Sequence, residues 1–247
     1  MQSFVHLRLH TEYSIADGLV RVPALMEAVA SAAMPAVALT DRGNLFAMVK
    51  FFRDAERAGI KPVIGVEARV HEPADAAQPT ELVLLCQNET GYRRLTALVT
   101  RSFLEGQRRG VPMIEREWLA GHGADGLIAL SGGRRGDIGR AILGGRESDA
   151  RDALERWLKL FGDRFYLELQ RTGRDGEEAW LHGAVALASS CGVPIVATND
   201  VCFLRRADFE AHEARVCIHQ GCALADPGRA RPYSEQQYLR TPAEMRA

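Results

Sequence analysis

Short apolar runs alternate with amphipathic stretches along the 247-residue chain, and this alternation restricts the fold more than any other feature. The runs predict seven strands, at residues 4–9, 36–39, 62–66, 82–86, 127–130, 165–169 and 194–197. Helical spacing predicts helices between them, at residues 22–33, 45–58, 90–106, 148–161, 176–191 and 206–219. Leu45, Val49 and Phe52 mark the second helix. Repeated β–α alternation indicates a parallel sheet, either a closed barrel or an open doubly wound sheet.

Composition and charge argue against several classes of protein. A net charge of −1 and an isoelectric point of about 6.7 give no basic surface for gripping DNA unaided. Five scattered cysteines without a CxxC pair argue against a disulfide framework or a zinc ribbon. The first residues lack the basic and apolar regions of a signal peptide, and no apolar run is long enough to span a bilayer. We therefore expect a cytoplasmic protein that makes no use of a membrane.

Polar side chains follow the predicted strands at the points where the strands end. In α/β sheets and barrels, functional groups gather at the carboxyl ends of the strands, so residues far apart in sequence can converge there. The residues in such places are His10, Asp41, Glu67, Ser131, Gln170 and Asp200. The sequence therefore predicts a polar site at one end of the sheet.

Three of these strand ends carry patterns that one histidine each would turn into a site for a hard metal ion. The motifs are FVHLRLH in the first strand, ALTDRGN after the second and VATNDVCF near residue 200. The residues standing where histidine would be needed are Arg8, Arg42 and Cys202, beside His10, Asp41 and Asp200. Whether the chain still binds metal is the question on which its function depends.

The last residues read differently from the rest. Residues 223–238 are polar and contain Pro227, Gly228 and Pro232, which is typical of a connecting segment. The sequence from Thr241 to Glu244 has the form of a capping box with proline at the first helical position. We predict a barrel domain at 1–222 and a connecting segment at 223–247, and we expect the natural polypeptide to continue.

Five motifs occur in an order that resembles a known family. They are FVHLRLHTEYSIADGL, MPAVALTDRGNLFAMVKFF, GIKPVIGVEARV, ELVLLCQNETGYRRL and VATNDVCFL, and the closing PYSEQQYLRTPAEM extends the match. Together they resemble the PHP (polymerase and histidinol phosphatase) domains found at the amino terminus of bacterial DNA polymerase III alpha subunits, most closely the proteobacterial form. The resemblance covers essentially the whole chain and implies a distorted TIM-like (β/α)7 barrel.

The resemblance also implies a chemistry. Metal-binding members hold a cluster of divalent ions, often zinc or manganese, on His, Asp, Glu and Cys ligands. Active members hydrolyse phosphoesters, and some act as 3′–5′ exonucleases. Close cations would activate a water molecule and clamp the phosphate oxygens.

The ligand positions of the family can be followed along this sequence. Glu81 aligns with a histidine of the fourth strand, and Gly133 in LSGGRRG has no side chain to offer. Positions that keep a ligand are His10, Asp41, Glu67 and Asp200, and those that depart are Arg8, Arg42, Glu81, Gly133 and Cys202.

Arginine is the decisive departure because it stays protonated and cannot coordinate a cation. We expect Arg8 and Arg42 to pair with Asp41, Glu67, Glu81 or Asp200 and so replace the metal cluster with salt bridges. The predicted cleft then has no catalytic residue and no metal. If an ion does bind, zinc or manganese would take some or all of His10, Asp41, Glu67, Asp200 and Cys202. His6 and His212 fit ordinary packing roles.

Two functions remain in competition. The first is a non-catalytic domain that supports a replicative polymerase and docks the proofreading exonuclease (epsilon) subunit. The full-length protein would be a DNA-directed DNA polymerase that uses magnesium and meets DNA and the other holoenzyme subunits. The second is an active metal-dependent phosphoesterase, such as a pyrophosphatase or 3′–5′ exonuclease, in which Arg8 and Arg42 bind substrate phosphate. A stand-alone metabolic phosphatase is a weaker third reading.

Overall fold

A computed structural model describes residues 3–71 and 78–246 of the chain. Six strands form a curled sheet in the order β1, β2, β3, β6, β7, β8, and two short strands form a hairpin. The strands are β1 (Ala36–Leu39), β2 (Lys61–Val70), β3 (Thr80–Cys86), β4 (Gln107–Arg108), β5 (Val111–Pro112), β6 (Leu127–Leu130), β7 (Phe165–Gln170) and β8 (Ile195–Thr198).

Seven α-helices are found in the described part of the chain, and six of them were predicted. They are α1 (Val22–Ser31), α2 (Met48–Arg57), α3 (Glu89–Leu104), α4 (Asp137–Leu143), α5 (Glu147–Phe161), α6 (Glu177–Cys191) and α7 (Phe209–Gln220). The unpredicted helix is α4, which is short. The second helix, α2, buries Phe51 and leaves Val49 54% and Phe52 41% exposed.

The sheet is mixed, so the prediction of a parallel sheet was wrong for its central strands. β1 and β2 are parallel, as are β6, β7 and β8, but β3 runs antiparallel to both β2 and β6. Residues 71–79 join β2 to β3 and are fewer than the dozen or so that a parallel crossover needs. The reversal pairs Glu81 with Arg69, so the amino end of β3 lies where β2 ends.

The predicted first strand, residues 4–9, closes the wall between the two edges of the sheet. His6 bridges Val37 of β1, and Leu9 bridges Val201 just after β8, both in parallel. The amide of His10 donates to the carbonyl of Val201 at 2.8 Å, and that of Ala38 donates to the carbonyl of His6 at 2.8 Å. The segment pairs through single bridges and is extended without forming a continuous ladder.

The two ends of the barrel interior differ in chemistry. At one end the carboxyl ends of β1, β7 and β8 meet the first segment, and the polar residues cluster there. At the opposite end, inward-facing side chains such as Leu7, Val63 and Tyr166 line an apolar cavity of about 890 Å³. Helices pack on the outer face of the sheet around buried aromatic rings such as Trp157 and Phe165. No helix within 3–71 or 78–246 is long and apolar enough to cross a bilayer.

Candidate functional site

The centre of the polar end is the guanidinium of Arg8, which is completely enclosed by protein. Its Nη2 donates to Glu67 at 2.5 Å and to Glu81 at 2.7 Å, and its Nη1 donates to Glu168 at 3.0 Å. Its Nε lies 3.1 Å from Asp200 Oδ1. One buried cation therefore contacts four carboxyl groups from four different elements. Burial opposes its charge, but the four carboxyl groups hold the pKa of Arg8 above its usual range.

A second arginine extends the network towards the mouth of the cleft. Arg42 Nε donates to Glu67 Oε1 at 2.6 Å, and Arg42 Nη1 lies 2.8 Å from Asp17 Oδ1. Glu81 lies 3.8 Å from Arg42 and accepts a hydrogen bond from Arg135 at 3.2 Å. Burial would raise the pKa of Glu67, but Arg42 and Arg8 hold it well below its usual range. Glu67 is therefore ionised and shared between two cations.

Asp200 joins the cluster from the far side. Its backbone has a φ of 48°, a left-handed conformation that aspartate tolerates better than most residues. Asp200 Oδ2 accepts hydrogen bonds from Arg174 Nη1 and Gln237 Nε2, both at 2.9 Å. Burial opposes ionisation of Asp200, yet Arg8, His10 and Arg174 keep its pKa well below its usual range. Both of its oxygens are occupied by donors.

His10 lies between two of these carboxylates. Its Nε2 is 3.2 Å from both Glu67 Oε2 and Asp200 Oδ1, and its Nδ1 is 3.3 Å from Ser14 Oγ. Burial disfavours the charged imidazole, but Glu67 and Asp200 raise the pKa of His10 to about 9. His10 is therefore a cation near neutral pH, with its ring held by hydrogen bonds.

Two residues predicted for the cleft form no ion pair with Arg8 in the described part of the chain. Asp41 accepts hydrogen bonds from the Thr11 amide at 2.7 Å, the Thr11 hydroxyl at 2.6 Å and the Ser14 hydroxyl at 2.7 Å. It therefore fixes the turn after the first segment, and no ion pair between Asp41 and Arg8 or Arg42 is found within the described residues. Cys202 is fully buried, and burial raises the pKa of its thiol, so it is not a thiolate.

The other predicted positions lie around the rim or in the wall. Gly133 has a φ of 58°, and a Cβ there would lie 3.3 Å from Gln170 Oε1. Ser131 Oγ accepts the amide of Glu168 at 3.0 Å. His6 Nε2 donates to the Arg240 carbonyl at 2.8 Å, and burial lowers the pKa of His6 to about 4. His212 is buried beside aromatic rings, as its place on the helix face predicted.

Sequence reasoning missed several members of the cluster. Glu168 is the most central of them: it is fully buried, contacts Arg8 and accepts from Thr198 Oγ1 at 2.5 Å. Burial raises its pKa, with Arg8 acting in the opposite direction. A signal was present, because Tyr166, Glu168 and Gln170 alternate along β7 and so share one face. The other missed residues are Asp17, Arg135, Arg174, Tyr233 and Gln237.

In the described part of the chain, one group of three residues has ligand atoms that all lie within 4.8 Å of one another. These residues are His10, Glu67 and Asp200. One imidazole and two carboxylates are a suitable donor set for zinc or manganese. One observation opposes such a site. Arg8 contacts the Glu67 and Asp200 oxygens that face His10. As arranged, these residues do not fit a cation unless Arg8 moves.

The barrel and the cluster can be compared with known proteins. A family model described as the PHP domain matches residues 6–172. The chain belongs to the PHP domain family. This PHP domain is 53% identical over 243 residues to DNA polymerase III subunit alpha of Pseudomonas aeruginosa. It is 46% identical over 242 residues to the same subunit of Escherichia coli (strain K12). Each match covers 98% of the chain but 21% of the relative's length.

Two solved structures share the fold at low sequence identity. One is a proposed metal-dependent phosphoesterase of Bifidobacterium adolescentis, with a TM-score of 0.51 and 10% identity. The other is an amidohydrolase of Chromobacterium violaceum, with a TM-score of 0.52 and 15% identity. Each match covers 80% of this chain and 87% of the other. These matches confirm the predicted distorted TIM-like barrel.

Replacing Arg8 by methionine should lower the free energy of unfolding by about 3–5 kcal/mol, because buried carboxylates lose their shared cation. Urea unfolding followed by tryptophan fluorescence measures the change. Arg57→Met is the matched control, since Arg57 pairs with Asp54 on the surface and should cost less than about 1 kcal/mol. If Arg8→Met does not fold, adding Glu81→Gln should recover folded protein. A loss below about 1 kcal/mol for Arg8→Met contradicts the central role of this residue.

The free energy of unfolding should fall as the pH rises from 6.5 to about 9. The pKa of His10 is 6.5 in its ordinary state and about 9 in the fold. The stabilisation from its proton is therefore complete below pH 6.5 and lost through about pH 9. The loss is on the order of 3 kcal/mol. Thermal unfolding at a series of pH values should show this slope in the wild type and in His6→Gln, but not in His10→Gln. Equal slopes in all three proteins would refute it.

Proposed function

We propose that this chain is the PHP domain of a bacterial DNA polymerase III alpha subunit and serves DNA replication as a non-catalytic domain. Identities of 42–53% to alpha subunits over 98% of the chain support the assignment. The observation that carries the non-catalytic role is the contact of Arg8 with four carboxyl groups. A fixed guanidinium at that point supplies the positive charge that metal ions bring to active members of the family.

The domain's role in this proposal is architectural. The Arg8 cluster ties the first segment to β2, β3, β7 and the residues after β8, so it holds the barrel's polar end together from inside. The full-length protein would be a DNA-directed DNA polymerase of the cytoplasm, using magnesium in a part of the protein beyond this chain. DNA and the other holoenzyme subunits would be met by the full-length protein.

We also propose that the domain docks the proofreading exonuclease (epsilon) subunit. A replicative polymerase whose PHP domain does not hydrolyse DNA needs its 3′–5′ exonuclease activity from a separate protein. Docking on this domain would place that activity beside the polymerase.

Active metal-dependent hydrolysis is the second candidate function. The closeness of His10, Glu67 and Asp200 favours it, as does the fold shared with a proposed metal-dependent phosphoesterase. In this case Arg8 would leave the carboxylates, zinc or manganese would take its place, and Arg42 would be free to hold a substrate phosphate.

The wild-type domain should bind less than one tight Mn²⁺ or Zn²⁺ per chain, because Arg8 occupies the oxygens of Glu67 and Asp200 that a metal ion would need. Arg8→His should bind the same ion at least about tenfold more tightly, since it removes the guanidinium and adds an imidazole. Calorimetric titration and metal analysis after desalting measure both. Arg135→His is the matched control, because Arg135 hydrogen-bonds Glu81 and no other carboxylate of the cluster among the described residues.

Two or more ions on the wild-type protein would refute the non-catalytic proposal. So would manganese-dependent hydrolysis of pyrophosphate or of a 3′-labelled oligonucleotide that is lost in Asp41→Ala and Asp200→Ala. Both assays should be negative for the wild type.

The folded chain should bind the exonuclease subunit at micromolar concentration or below. Analytical size exclusion and calorimetric titration detect the complex. The Chromobacterium violaceum amidohydrolase is a matched control, since it shares the barrel at 15% identity and should not bind. If a chain that unfolds cooperatively forms no complex with the exonuclease subunit, the docking role is contradicted. The architectural role is unaffected by that result.

A further inference from the structure

Residues 233–240, named here the strap, lie across the polar end of the barrel. Tyr233, Gln237 and Leu239 are buried, although the strap comes from the segment that was predicted to connect the barrel to something else. The family model ends at residue 172, well before the strap. The predicted boundary at residue 222 stays a prediction, but the strap packs on the barrel like one of its own elements.

Backbone hydrogen bonds attach the strap beside the last segment of the barrel wall. The Cys202 amide donates to the Gln237 carbonyl at 2.9 Å, and the Leu239 amide donates to the Phe203 carbonyl at 3.0 Å. Asn199 Nδ2 donates to the carbonyls of Gln236 and Tyr238, both at 2.8 Å. These bonds set the position of the strap next to Asp200.

The Gln237 side chain attaches the strap to the charge network itself. Its Nε2 donates to Asp200 Oδ2 at 2.9 Å and lies 3.2 Å from the Asp200 carbonyl. Its Oε1 accepts the Ser234 amide at 3.0 Å, so the amide group is satisfied at both ends. Arg174 donates to the same Asp200 oxygen at 2.9 Å. Because one ionised oxygen is shared, the strap and the network depend on the same charge.

The strap is attached to the cleft a second time, through Asp17 and Arg42. The Tyr233 hydroxyl donates to Asp17 Oδ1, which also contacts Arg42 Nη1 at 2.8 Å. Arg42 in turn donates to Glu67. The strap is thus bonded at two points to carboxylates that are held by the arginines of the cleft, whereas most of residues 223–231 are exposed.

We propose that the arginine–carboxylate network is the anchor of the strap, so that the charge arrangement of the cleft determines the path of the chain that leaves the barrel. The inference rests on the proposed function, because it names what the non-catalytic cleft holds in place. Asp200 is the shared acceptor, Gln237 is the residue that connects strap to cleft, and Tyr233 supports it through Asp17.

Amide hydrogen exchange at Cys202 and Leu239 tests the proposal, because both amides are bonded across the strap boundary. Gln237→Ala should speed exchange at both positions about tenfold or more, the effect of losing a hydrogen bond to a charged acceptor. Gln236→Ala is the matched control. It removes the neighbouring glutamine, whose side chain bonds Arg240 and Glu235 instead of the cleft. The exchange rates at Cys202 and Leu239 in Gln236→Ala should stay within about twofold of wild type.

Arg174→Gln gives a second approach from outside the strap. It removes a donor to Asp200 and should also speed the Leu239 amide, and its combination with Gln237→Ala should be non-additive because the two donors share one oxygen. Exchange at Trp157, in the core behind the sheet, reports global unfolding and should stay unchanged. Wild-type rates in Gln237→Ala, or equal acceleration in Gln236→Ala, overturn the proposal.

Repeating the hydrogen-exchange measurement in Mn²⁺ distinguishes failure of the strap proposal from failure of the proposed non-catalytic function. Unchanged rates with and without Mn²⁺, together with fast exchange in Gln237→Ala, support both proposals. Faster exchange on adding Mn²⁺ to the wild type would mean that the cleft takes a metal. The non-catalytic function would then fail while the anchoring of the strap would stand.

Discussion

The polar end of this barrel depends on the placement of one guanidinium among four carboxyl groups. Burying a carboxylate is costly unless a partner offsets the lost hydration, and here four such groups share the same enclosed space. Arg8 reaches all of them because it lies on the segment that joins the two edges of the sheet. The closure of the barrel and the placement of its central cation are therefore achieved by the same short stretch of chain.

The other charged groups of the cluster surround Arg8. Three further arginines come from the loops at the carboxyl ends of β1, β6 and β7, and each pairs with a carboxylate that Arg8 also contacts. They are Arg42, Arg135 and Arg174. His10 adds a titratable cation between Glu67 and Asp200. Such a network gives specific geometry more than net stability, because desolvation of every member offsets much of the attraction. This is why the cluster can position neighbouring segments while the apolar core stabilises the fold.

Much of the fold and part of the site followed from sequence. Strand and helix positions could be read from periodicity, which depends only on nearby residues, but strand direction depends on connections and tertiary packing. The reversal of β3 was therefore missed, as was α4, whose DIGRAIL sequence is too short to show a period. The pairing of arginines with Glu67, Glu81 and Asp200 followed from residue type, because an arginine beside buried carboxylates has few other partners. Asp41 differs because nearer hydroxyl and amide donors satisfy it first.

The residues that sequence could not place are those brought in from distant elements. Glu168 is flanked by apolar neighbours in β7, where alternation with Tyr166 and Gln170 was its one signal, and Gln237 lies inside the polar segment that was predicted to be a linker. The sharing of Arg8 among four acids has a consequence for how such a cleft can change over time. A substitution of Arg8 removes the contact that all four acids have in common, whereas the loss of one acid leaves Arg8 with the other three. Sequence change at Arg8 is therefore constrained by four acids at once, whereas the change of one acid removes one of the four contacts that Arg8 makes.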